Sequence, residues 1–248
     1  MNVDAPRGGH ALTAATLTAD SNARWARARP RQPARALVLQ HDDEMPTVQL
    51  VDVLHQRGLN PVLRRVSETP RLPDPRSLPI VVLLGADCFG SDRAGLDAEL
   101  DWLREADRAG TPILGIGHGA RALAAALGGA VGPAERGHRG WALVDTAAPH
   151  LVPAGPWLAW QHDVMLLPPE AELLAHNRLG PQAFTIGPHL GVQFHPEATP
   201  RSAAGWVKRD RTRVDFHDTL TGTTRDPAAA RVCAQRLFSA FIDTIELS

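Results

Sequence analysis

Apolar runs of strand length alternate with amphipathic stretches through the first half of the chain. Residues 36–40 (ALVLQ) form one such run and end at the turn-forming His41-Asp42-Asp43. Residues 47–57 carry Val48, Val51 and Leu54 at three-residue spacing and stop at Gly58, which predicts a helix. Residues 60–66 predict a second strand. Pro79 introduces Ile80-Val81-Val82-Leu83-Leu84, a continuous apolar run of the kind buried on both faces of a sheet. Next come an amphipathic helix over 96–109 stopped by Gly110, a buried strand over 111–116, and a helix over 121–127 ended by Gly128-Gly129. This βαβ alternation predicts a parallel sheet with right-handed crossovers.

From Trp141 onward the pattern changes to short strands and turns, at residues 142–144, 183–186 and 191–194, which suits an antiparallel extension of the sheet. Residues 200–248 predict a largely helical tail, amphipathic over 228–245. No internal repeat and no long linker divides the pattern, so a single domain is expected over residues 35–248. Residues 1–34 differ: they are rich in Ala, Arg and Thr, with Asp4 and Asp20 as their only acids. Transit peptides share this composition, but it is expected here to mark a disordered tail, because such a segment buries too little to order.

The bulk numbers narrow the function classes. With 248 residues and 44% hydrophobic content, the chain is long enough for one α/β domain with a substantial core. A net charge of −1 lends no support to a nucleic-acid or membrane partner. Cys88 and Cys233 are the only cysteines, which excludes a disulfide scaffold and suits a reducing, cytoplasmic setting. No apolar run approaches the roughly 20 residues that span a bilayer.

Two stretches carry chemistry. Gly115-Ile116-Gly117-His118-Gly119 lies between a buried strand and a helix. Such an elbow holds its central residue in a strained turn at the strand's C-terminal end, beside a helix N-terminus. Taken alone, this pattern equally describes any tight glycine turn. Gly191-Val192-Gln193-Phe194-His195-Pro196-Glu197 is more specific. A strand ending in His-Pro-Glu puts imidazole and carboxylate at the sheet edge, where Glu197 can hydrogen-bond His195 and set its tautomer.

In this order and separation, the two stretches resemble the class I glutamine amidotransferases of the GMP synthase type. In that family the first stretch reads G-I-C-x-G, with cysteine as nucleophile, and the second supplies the histidine base and its glutamate orienter. The resemblance runs from about Arg35 to the C-terminus. It implies an α/β, flavodoxin-like fold: a mostly parallel central sheet flanked by helices, with a small antiparallel extension. It casts His195 as base and Glu197 as orienter, and it leaves Gly117 in the nucleophile's place. Leu84-Gly85-Ala86-Asp87 stands where the family has a G-G-P loop, so Gly85 and Ala86 fall in the oxyanion loop and His118 would lend the second backbone donor. Trp160-Gln161-His162-Asp163 resembles the family's W-H-G-D, with Asp163 matching. Arg121 replaces the glutamine usually found near bound substrate. These departures gather around one pocket while the scaffold signals persist, which favours a changed ligand over decay.

The resemblance therefore implies a class I glutamine amidotransferase-like protein that is inactive as a glutaminase. The alternative is a repurposed enzyme acting on an amide or γ-glutamyl compound through His195 and Glu197, with Arg121 gripping a carboxylate or phosphate. Cys88, in the loop facing the elbow, is the candidate for a relocated nucleophile, although a passive packing cysteine is the expected reading. His118 with His195 and a carboxylate would make a zinc donor set. The spacing is not of the usual kind, so neither metal nor cofactor is expected. His138 and His150 read as surface or turn residues. The expected ligand is an amide or amino-acid-like small molecule. With no ATP-pyrophosphatase domain fused, any amidotransfer would need a separate synthase subunit.

Overall fold

The computed structural model describes Met1 and residues 34–41, 47–69, 71–85, 93–209, 216–218 and 227–245. The chain divides into two units, Met1–Gln32 and Pro33–Ser248. The tail expected over residues 1–34 falls outside the described residues except for Met1 and Ala34.

Four predicted strands form the parallel half of the main sheet: β1 (Ala34–Gln40), β2 (Leu59–Arg65), β3 (Ile80–Leu83) and β4 (Ile113–Ile116). Beyond them lie β6 (Asp145–Thr146), β8 (Glu172–Asn177), β9 (Gly180–Ile186) and β10 (His189–Val192). The order across the eight strands is β2-β1-β3-β4-β10-β9-β8-β6. β10 joins β4 in parallel, and β9, β8 and β6 continue from it antiparallel. The antiparallel extension is thus present and follows the parallel core in the same sheet.

Period-two alternation explains the layers. Ala36 and Val38 of β1, with Ile80 and Val82 of β3, face α1 (Val48–Gln56) and α5 (Pro227–Asp243). Leu37, Leu39, Val81 and Leu83 point the other way, toward α2 (Arg93–Arg108) and α3 (His118–Ala126). Strands read as apolar runs are buried on both faces, as their composition predicts. Helix α5 shows the pattern plainly. Ala230, Ala234, Leu237, Phe238, Phe241 and Ile242 recur at three- and four-residue spacing and are all buried.

Three readings of the pattern need correction. The buried stripe of α1 is Leu50, Val53 and Leu54, while Val48 in the first turn is 71% exposed. The helix turns its i, i+3, i+4 face inward one position away from the stripe read in the sequence. Second, the antiparallel region begins at Ala130, not at Trp141. The 13-residue strand β5 (Ala130–Ala142) pairs with β7 (Trp157–Leu166) in a separate three-stranded sheet. Gly132, Pro133 and Gly137 look like turn signals, but they sit around a register shift between Pro133 and His138, the kind of irregularity where such residues are tolerated within a strand. Third, the C-terminal region is largely helical as read, but it also holds a strand. Between α4 (Pro200–Arg209) and α5, β11 (Phe216–Asp218) pairs in parallel with residues 137–139 of β5.

Gly119, in the first turn of α3, lies against the backbone of β3. A Cβ at this position would overlap the Leu83 carbonyl oxygen, so the helix packs this closely only because the residue is glycine. Gly132 has nothing within 4 Å of the same hypothetical atom. Gly119→Ala is expected to lower unfolding stability by about 1–3 kcal/mol or more, measured by urea denaturation, and Gly132→Ala to leave it within about 0.5 kcal/mol. Equal effects at the two positions would show that the helix is free to shift.

Candidate functional site

The site is assembled by the pairing of β4 with β10. Gly115 stands opposite Gly191 and Ile116 opposite Val192. The Gly117 N–H then donates to the Val192 carbonyl at 2.8 Å. Both chains leave the sheet side by side, so Gly117 and His195 meet just past the C-terminal ends of two parallel strands. At Gly117 the backbone turns sharply into α3 with φ +58° and ψ −109°. This is the tight elbow expected, in a region that glycine adopts freely and L side chains rarely do.

His195 is held from several sides. Its backbone N–H donates to the Leu158 carbonyl at 2.8 Å, tying it to β7. Its Nδ1 lies 2.8 Å from Glu197 Oε1. Because a carboxylate only accepts, Nδ1 carries the proton, which leaves the Nε2 lone pair available. Glu197 is 1% exposed and its Oε2 has no hydrogen-bond partner among the described residues. Trp206 of α4 presses edge-on against the imidazole at 5.1 Å, and Trp160 of β7 stands 5.8 Å from Trp206. Directly behind, Phe194 stacks on Trp157 at 4.5 Å.

The imidazole also reaches into the elbow. A Cβ built on Gly117 would sit 2.7 Å from His195 Cε1 and 3.1 Å from Nε2. The ring therefore lies over the space that a side chain at position 117 would need. Arg121, one turn into α3, is 2% exposed and its Nε lies 3.8 Å from Asp163 Oδ2 on β7. Two residues read as separate pocket groups thus form an ion pair. Gly85 is buried at the end of β3, whereas Ala86 and Cys88 lie outside the described residues. His138 is buried on β5, contrary to the surface reading, and His150 is exposed in a turn. A cavity of about 590 Å³ opens at the opposite end of the sheet, among Pro79, Pro112, Gly187 and Thr244, away from this chemistry.

On the other side of Gly117, His118 turns its ring toward two residues that the sequence reading did not single out. His41 Nε2 and His118 Nε2 both approach Glu99 Oε2, at 2.8 and 3.5 Å, and the two imidazoles lie 4.5 Å apart. His41 Nδ1 donates to the Leu84 carbonyl at 3.0 Å. Burial alone would raise the Glu99 carboxyl, but hydrogen bonds from His118 and His41 outweigh it and hold the group at about 2. Burial would lower His41, yet its contacts with Glu99 and Leu84 leave it raised. For His118 burial prevails and the imidazole is pushed down. One signal could have found Glu99: it falls on the buried stripe of α2 shared with Trp102, Leu103 and Ala106. A charged residue there needs a partner.

A model of the class-I glutamine amidotransferase family matches residues 50–210. The chain is 40% identical over 103 residues to a glutamine-hydrolyzing GMP synthase of Thermomicrobium roseum, covering 39% of this chain and 19% of that protein. It is 33% identical over 112 residues to one subunit of a glutamine-hydrolyzing GMP synthase of Ignicoccus hospitalis, covering 42% of this chain and 56% of that one. The matches therefore span about a fifth of the first relative and just over half of the second. Among solved structures, a glutamine amidotransferase from Methylobacillus flagellatus superposes with a TM-score of 0.72 at 17% identity, covering 87% of this chain and 96% of that one. That likeness bears on the fold.

The Glu99 cluster has a pH signature. Its folded carboxyl titrates at about 2, against 4.5 for the free group. A depressed carboxyl contributes stability that is present above pH 4.5 and is lost as pH falls through about 2, on the order of 3 kcal/mol. The stability difference between wild type and Glu99→Gln, followed by denaturation from pH 5 to pH 2, is expected to shrink steadily. A constant difference would mean that Glu99 is not held ionised by its histidines.

Proposed function

The chain belongs to the class I glutamine amidotransferase family, and from that premise we propose that it is a member without glutaminase chemistry. The observation that carries the proposal is the elbow. Gly117 offers no nucleophile, and the base's own ring lies over the space that one would need. In a coupled nucleophile–base–orienter unit, loss of the nucleophile costs on the order of 10⁶ in turnover. On this reading residues 35–248 form the amidotransferase-like domain. A cytoplasmic location accords with the two cysteines, and a small amide or amino-acid-like molecule is the ligand. The Ignicoccus hospitalis relative, named as one subunit of a GMP synthase, supports a partner in the form of a separate synthase subunit.

A second reading is favoured by the intact base. His195, with Nδ1 fixed on Glu197, retains an Nε2 lone pair that can take a proton from water or from a substrate's own nucleophile. This reading makes the chain a repurposed enzyme for an amide or γ-glutamyl compound. Asp163 already engages the Arg121 guanidinium, so Arg121 would act on a ligand carboxylate jointly with Asp163. Turnover of any amide that His195→Ala abolishes would establish the second reading over the first.

Ammonia release from glutamine, measured with the full chain, is expected to be indistinguishable from that of His195→Ala. Release well above this control and unchanged by Cys88→Ala would refute the proposal. Release abolished by Cys88→Ala would identify a relocated thiol.

Gly117→Cys is expected to cost about 1–3 kcal/mol, because the new Cβ must displace the buried His195 ring and accept a positive φ. The helix N-terminus and His195 should still favour its thiolate. Iodoacetamide is therefore expected to label position 117 faster at neutral pH than Cys233, whose thiol burial pushes up. A thiol at 117 that titrates near the free value of about 8.5 would show that the site no longer activates nucleophiles.

A further inference from the structure

We propose that His41, Glu99 and His118 form a binding site for a zinc-class divalent metal ion. Each donor comes from a different element: His41 from the end of β1, Glu99 from the middle of α2 and His118 from the first residue of α3. Their ligand atoms nevertheless all lie within 4.8 Å of one another. Tetrahedral zinc with bonds of about 2.0–2.1 Å places neighbouring donors roughly 3.3 Å apart. The contacts of 2.8 Å and 3.5 Å from the two Nε2 atoms to Glu99 Oε2 bracket that spacing. Two imidazoles and one carboxylate are a donor set that zinc accepts, leaving a position for water or ligand.

Two further observations point to an ion rather than a hydrogen-bonded plug. Glu99 is 4% exposed, and its Oε1 has no hydrogen-bond partner among the described residues, although a buried carboxylate oxygen ordinarily demands one. In addition, His41 Nδ1 donates to the Leu84 carbonyl. That is the outer-shell bond by which metal-ligating histidines are oriented, with the opposite nitrogen presented to the ion. His41 also retains 16% side-chain exposure, so the cluster is not sealed from solvent. On binding, a metal–nitrogen bond at His41 Nε2 replaces the N–H bond now directed at Glu99, and the proton leaves to solvent. At His118 the Nε2 proton directed at Glu99 is likewise given up, to Nδ1 or to solvent, as the metal–nitrogen bond forms.

The test uses the full-length protein stripped with a chelator and titrated with Zn(II) by calorimetry, then with Co(II) followed by its visible spectrum. Stoichiometric Zn(II) binding and a low-symmetry, intensely coloured Co(II) complex are expected. Glu99→Gln and His41→Ala should each weaken Zn(II) binding beyond the ~10–100-fold cost of losing an outer-shell partner. His195→Ala should leave it unchanged. Should Glu99→Gln fail to fold, His41→Ala and the Co(II) spectrum of the wild type decide the matter. The site is refuted if the wild type binds no Zn(II) stoichiometrically, if His41→Ala binds as the wild type does, or if His195→Ala abolishes binding. The last result would assign the ion to the elbow's other side.

Discussion

The parallel pairing of β10 with β4 is the constraint on which the site depends. It brings two sequence-distant motifs into register, Gly115 against Gly191 and Ile116 against Val192, and the Gly117 N–H seals the end of the pair on the Val192 carbonyl. A slip of one residue would turn the inward side chains of β10 to the opposite layer and carry His195 away from the elbow. Register is held by burial on both faces: Leu190 and Val192 belong to one core cluster, while Phe184 of the adjoining β9 belongs to the other. The geometry of the site is therefore a consequence of core packing, and the loops around it are free to differ.

Within the parallel half, β1, β3 and β4 were legible as short apolar runs bounded by turn residues, whereas β2 (LNPVLRR) lies at the sheet edge and is mostly not buried. The elbow was legible because its glycines sit at fixed spacing. The long β5–β7 pair was not, since an antiparallel sheet with one wet face tolerates Gly, Pro and Arg, and Gly132, Pro133 and Gly137 mimic a turn. The His195–Glu197 contact could be foreseen from local spacing alone, as the two residues are neighbours on one short segment. The His41–Glu99–His118 cluster could not, because it joins three elements whose relative rotation only the folded chain defines. Arg121 and Asp163 show the same limit: each was visible, and their pairing was not.

Gly117 thus lies between two histidine–carboxylate systems of different character. Glu197 serves one imidazole and fixes its tautomer, leaving Nε2 as a base. Glu99 serves two imidazoles with one oxygen, and its contact with His41 raises that imidazole's pKa. The first arrangement orients one imidazole beside the elbow. The second concentrates donors at one point behind it. The elbow thus has the His195 imidazole on one flank and the first turn of α3, whose His118 ring belongs to the second cluster, on the other.

The glycine turn and the His195–Glu197 pair make different demands on the fold. Glycine adopts φ +58° at no steric cost, so an elbow centred on Gly117 survives without any catalytic demand. The His195–Glu197 pair is different. A carboxylate that is 1% exposed, with one oxygen lacking a hydrogen bond among the described residues, carries a desolvation cost of about 1–3 kcal/mol or more for that group. An apolar pair of similar volume would pack beside Trp206 without that cost. Stability by itself therefore does not account for the buried pair.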